Sequence, residues 1–69
     1  MNEWILVRDR MPSVDEVRKS NVFICSDGIN TTVRSYSYRL HGFVVETKNG
    51  DRKDRGIIAW MPLPEPYKE

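Results

Sequence analysis

Val22-Phe23-Ile24-Cys25-Ser26-Asp27-Gly28, followed by Thr31-Thr32-Val33-Arg34-Ser35-Tyr36-Ser37-Tyr38-Arg39, is the stretch whose reading decides the fold. The run Val22 to Cys25 is apolar, rich in β-formers and too short for a stable helix, so it reads as a buried strand. Asp27-Gly28 follows it as a hairpin signal, because glycine enters the positive-φ conformations of tight turns without steric cost. The β-branched and aromatic residues from Thr31 to Arg39 then fit a long strand with one partly wet face. A link this short forces antiparallel pairing, since parallel neighbours need a crossover of about a dozen residues.

The same reading extends in both directions. Leu40-His41-Gly42 turns the chain into a strand at Phe43-Val44-Val45-Glu46-Thr47. Asn49-Gly50 opens a polar loop to Gly56, in which Lys48, Arg52, Lys53 and Arg55 outnumber Asp51 and Asp54. Ile57-Ile58-Ala59-Trp60 is the last strand, after which Pro62, Pro64 and Pro66 oppose ladder pairing and favour an extended tail. Upstream, Trp4-Ile5-Leu6-Val7 is a first strand ended by Pro12. Ser13-Val14-Asp15-Glu16 is a capping-box sequence, with acids early and Arg18-Lys19 late, so at most one short helical turn is expected near residues 13–19. The expected fold is mostly β: a small five-stranded antiparallel meander or half-barrel curled around Trp4 and Trp60, forming a single domain over 1–69.

Size and charge bound the function. A chain of 69 residues buries only about 60% of the surface it exposes when unfolded. It must gain stability from its two Trp, three Tyr and two Phe, or from self-association. Cys25 is the only cysteine, which gives no disulfide framework and points to a reducing cytoplasm. Eleven basic against ten acidic residues leave +1, which withholds bulk attraction to nucleic acid or anionic lipid. No basic n-region precedes an apolar run at Met1-Asn2-Glu3, and no apolar stretch nears the ~20 residues that span a bilayer.

The residue inventory argues against an enzyme. A nucleophile needs a base within hydrogen-bond reach, yet His41 is the only histidine and falls in a turn. Cys25 sits among Val22, Phe23 and Ile24, where burial raises a thiol pKa and makes it inert. One His and one Cys cannot build a tetrahedral metal site, and Gly28, Gly42, Gly50 and Gly56 are isolated turn glycines. No catalytic residue, metal or cofactor is expected.

Two terminal motifs carry a family resemblance. Trp4-Ile5, Val7, Asp9-Arg10 and Met11-Pro12 resemble an opening W-I-x-V-x-[DE]-R-[LM]-P. Trp60-Met61-Pro62-Leu63-Pro64-Glu65-Pro66 resembles a closing W-M-P-L-P-x-P, and Val22 to Gly28 fits the middle strand and turn. Together they are similar to the family of domain of unknown function 551. That resemblance implies a short protein of bacteriophages and prophages and implies no reaction. Members often carry a His before the closing Trp, where this chain has Ala59, so any role resting on that imidazole is absent here. Trp4, Arg10, Pro12, Trp60, Pro62 and Pro64 form the signature, read as a structural clasp whose proline tail straps over Trp4.

Binding is the role left. The candidate surface is Arg34, Tyr36, Tyr38 and Arg39 on the long strand, with Arg52, Lys53 and Arg55 on the polar loop. Alternation puts Arg34, Tyr36 and Tyr38 on one face, where a basic-aromatic row can stack bases or a nucleotide-like ligand. The main expectation is a non-enzymatic phage or prophage accessory protein that binds a host or phage protein through a sheet face or edge. The alternatives are an oligomer that captures a small nucleotide-like ligand, and a weak binder of single-stranded nucleic acid.

Overall fold

In the structure, a computed structural model that describes residues 3–64, the hairpin read first lies within the sheet. Strand β2 (Val22–Ser26) pairs antiparallel with β3 (Thr31–Ser37), setting Phe23 opposite Arg34 and Cys25 opposite Thr32. The turn between them is fixed by Asp27, whose Oδ1 accepts the backbone N–H groups of Ile29 at 2.8 Å and Asn30 at 2.6 Å. Gly28 takes φ 94°, which calls for glycine, and a Cβ there would also crowd the exposed Ile58 Cδ1 at 3.2 Å.

The remaining strands are β1 (Ile5–Leu6), β4 (Gly42–Thr47), β5 (Gly50–Lys53) and β6 (Ala59–Pro62), and the one helix, α1, is Val14–Lys19. All six strands form one open antiparallel sheet in the order β1-β6-β2-β3-β4-β5. The architecture is thus mostly β with one short helix. Strands β2 to β5 follow one another as a meander, whereas β6 returns to lie between β1 and β2.

Three details differ from the sequence reading. Gly50–Lys53, expected as solvated loop, is a strand: Lys48-Asn49 turns the chain, Gly50 accepts φ 107°, and Asp51 to Lys53 pair with β4. The exposed, charged side chains of β5 hid a ladder that its backbone makes regardless. Pro62 lies within β6, opposite Phe23, because proline is tolerated at a strand end. Strand β3 stops at Ser37, and Tyr38 and Arg39 belong to the following turn, in which His41 takes φ 55°.

Helix α1 forms through its cap, with Ser13 Oγ accepting Glu16 N–H at 3.2 Å and Glu16 Oε1 accepting Ser13 N–H at 2.9 Å. The core is one cluster of Phe23, Cys25, Tyr36, Phe43, Ile57 and Trp60, against which Ile5, Val7, Met11 and Val17 pack. Edge-to-face contacts order it, with Phe23 and Trp60 centroids 5.3 Å apart and those of Tyr36 and Phe43 5.4 Å apart. The core forms around Trp60 alone, since Trp4 is 43% exposed and outside the cluster. Of the expected proline strap, Pro62 and Pro64 are exposed, and Pro66 lies outside the described residues.

Candidate interaction surface

Cross-strand partners share a face, so the ladder sorts the side chains into two sets. One face carries Phe23, Tyr36, Phe43 and Trp60, and Val7, Met11 and Val17 close over it. The other carries a transverse apolar row in which Ile24 lies between Met61 on β6 and Val33 on β3. Leu6 and Val22 flank that row on the same face. Ile24, Met61, Leu6 and Val22 are half-buried, and Val33 is 51% exposed. Val7, Met11 and Val17 pack on the first face; on the second, Val44 and Ala59 are buried and the row meets solvent at Val33.

The predicted basic-aromatic row does not assemble into one accessible strip. Tyr36 is only 8% exposed and packs on Phe43, while Tyr38, in the turn, sets its ring edge-on to Tyr36 at 5.2 Å. Burial raises the Tyr36 phenol pKa, and Tyr38 adds to that rise. Arg34 is half-buried and committed: its Nε donates to Asp54 Oδ2 at 3.2 Å and its Nη1 donates to Thr32 Oγ1 and to the Val33 carbonyl, each at 2.9 Å. The phenol in the core and the guanidinium in an ion pair are thus held apart from Arg39, Arg52, Lys53 and Arg55, which are exposed. Arg52, Lys53 and Arg55 border a shallow hollow of about 560 Å³ together with Leu40, Asp51 and Asp54.

The signature residues meet across the chain. Trp60 Nε1 donates to the Arg10 carbonyl at 2.9 Å, and the Arg10 guanidinium lies 5.1 Å from the centre of the Trp60 ring. The same guanidinium donates to both carboxylate oxygens of Glu16, at 2.7 and 3.1 Å. That bidentate bond, aided by Ser13, lowers the Glu16 pKa to about 2 despite partial burial. Arg10 therefore joins the opening motif, the helix cap and the closing tryptophan, with Pro12 buried beside them. The pairing spans 50 positions, and only the shared signature hinted at it.

Cys25 is fully buried, its Sγ–H donates to the Phe23 carbonyl at 3.6 Å, and desolvation pushes its pKa up to about 11. Among the described residues no group of three or more His, Cys, Asp or Glu stands close enough to hold a metal ion. No helix among them is long and apolar enough to cross a membrane.

A family model described as protein of unknown function (DUF551) matches residues 3–68. No curated protein and no solved structure matches the chain.

Proposed function

The chain belongs to the DUF551 family, and we propose that it is a non-catalytic accessory protein of a phage or prophage, acting in the bacterial cytoplasm by binding a host or phage polypeptide on the second face of its sheet. The observation that carries this reading is the Met61-Ile24-Val33 row, an apolar band on the face opposite the core cluster whose members are half-buried and whose end, Val33, is half in water. A small sheet needs one apolar face for its core, and a second apolar row that reaches solvent is a surface another molecule can cover. The phage setting comes from the family resemblance carried by the two terminal motifs. A reducing compartment suits the single buried thiol of Cys25.

The two ligand-binding alternatives lose their main support, because Tyr36 is in the core and Arg34 is paired with Asp54. A nucleotide or a single strand would have to be held by Tyr38, Arg39 and the exposed cations of the β4–β5 end alone.

A photo-crosslinking residue placed at position 33 in host cells tests the proposal, with one at Val14, equally exposed but on the helix, as control. The expected result is a discrete polypeptide adduct from position 33 alone, lost when Ile24→Glu is added in a variant that still melts cooperatively. Adducts of equal pattern from both positions, or none from position 33, would defeat the reading. A salt-sensitive complex with single-stranded nucleic acid at low ionic strength would favour the alternative instead.

A further inference from the structure

The sheet has two edges, and the structure treats them differently. At the β1 edge, Val7 N–H donates to the Ile58 carbonyl, which turns the main-chain groups of Leu6 outward. The Leu6 carbonyl is then taken by the N–H groups of Asp9 at 2.9 Å and Arg10 at 3.2 Å, so a turn closes that edge. At the β5 edge, Asp54 N–H donates to the Phe43 carbonyl at 2.7 Å, which sets the phase of the β4–β5 ladder. Arg52 therefore bonds inward to Val45, and the N–H and C=O groups of Asp51 and Lys53 point away from the sheet. Among the described residues no hydrogen bond reaches those outward groups. Edge strands are normally blunted by brevity, charged side chains, a bulge or a covering element; β5 is short and charged, but among the described residues nothing covers its outward main-chain groups.

We infer that the β5 edge is a self-association surface, on which β5 of a second copy pairs antiparallel across a two-fold axis through Arg52. This inference is independent of the proposal for the second face. Hydrogen-bond phase admits only registers that set an outward-facing residue opposite another. Centring the axis on Asp51 opposes two carboxylates, and centring it on Lys53 opposes two ammonium groups. Centring it on Arg52 sets Asp51 of each copy opposite Lys53 of the other, twice, while four main-chain hydrogen bonds close between those residues. The strand Gly50-Asp51-Arg52-Lys53 is self-complementary in this register, which is what a two-fold interface requires. The two Arg52 side chains then face one another on the other side of the sheet, one like-charge pair set against the two complementary pairs of Asp51 and Lys53. The Lys53 stem, which lies across Gly42 in the single chain, swings toward the new neighbour. Being charged rather than apolar, the contact is weak and sensitive to salt. It would join two six-stranded sheets into one continuous sheet.

Light scattering across a concentration series, at low and at high salt, tests this with the charge variants Asp51→Lys and Lys53→Asp, each first checked for an unchanged melting transition. The expected result is a wild-type dimer that forms as concentration rises and weakens with salt. Each variant alone should dimerise about tenfold more weakly or worse, because like charges now face each other. Mixing the two variants should restore a heterodimer, since positions 51 and 53 then meet with opposite charge at both contacts while the Arg52 pair is unchanged. A wild-type chain that stays monomeric at millimolar concentration, variants that dimerise as well as the wild type, or a mixture that fails to restore association would each overturn the inference. A dimer broken by Val33→Glu but not by Asp51→Lys would overturn it too, by moving the contact to the second face.

Discussion

At the scale of single residues, the two tryptophans of the signature part company. Trp60 is fully buried, meets Phe23 edge-on and donates to Arg10, so Trp60→Ala removes a large core side chain and a buried donor together. A loss of ~3–5 kcal/mol is expected, enough to unfold so small a domain. The sequence reading curled the sheet around Trp4 as well, but Trp4 is 43% exposed and outside the core cluster, so Trp4→Ala should cost well under half as much. Urea denaturation of both variants checks the contrast, and equal losses would refute it. The Glu16 carboxylate makes a second residue-scale prediction. Its folded pKa of about 2 lies below the ordinary 4.5, so the stabilisation is fully present above 4.5 and is lost as pH falls toward 2. The Arg10 side chain is 49% exposed, so solvent screens the pair and the effect is modest. Asp27, its pKa lowered by the N–H groups of Asn30 and Ile29, contributes in the same direction. Melting temperature measured between pH 5 and pH 2 should therefore fall less steeply for Glu16→Gln than for the parent chain. The capping box was legible because its partners are three residues apart, whereas nothing local in Arg10 announced that it would reach Trp60.

At the scale of elements, legibility followed the match between side-chain pattern and backbone pairing. The β2–β3 hairpin was readable because both signals agree: apolar Phe23 and Cys25 mark one face, and Asp27-Gly28 marks the turn. Strand β5 was not, because Asp51, Arg52 and Lys53 look like a solvated loop and only Asn49-Gly50 spoke for a hairpin. The candidate site suffered from the same blindness. Alternation correctly put Arg34 and Tyr36 on one face, but it could not say that this face was the core side, where Asp54 neutralises the arginine. Glycine positions test the turn assignments. Gly50 has φ 107° and open space around it, so Gly50→Ala carries only backbone strain and should cost ~1–2 kcal/mol. Gly56 shows no positive φ and its nearest atom is Asp54 Oδ1 at 3.4 Å, so Gly56→Ala should change stability by less than about 0.5 kcal/mol. Thermal melts of the pair distinguish a true β5 hairpin, for which the two differ, from a floppy loop, for which neither matters.

For the whole molecule, the consequential feature is the return of β6 between β1 and β2. The sequence pointed to a meander or half-barrel and left the order of its strands open. In the sheet β6 lies between two partners, pairing Trp60 with Ile5 on one side and with Cys25 on the other. Strand β1 has no other partner in the sheet, and Arg10 loses the ring it covers and the donor to its carbonyl if Trp60 is missing. The chain is consequently closed by its last described strand, and the domain should form in one cooperative step only once that strand is present. A chain ending at Ile58 should show no cooperative thermal transition and should bind a hydrophobic dye, because Phe23 and Phe43 lose the ring packed against both. A chain ending after Pro64 keeps all of β6 and should melt in one transition. If the shorter chain also melted cooperatively, β2 to β5 would be a self-sufficient meander. The closing motif would then lose its role as the central strand that unites the two ends of the molecule.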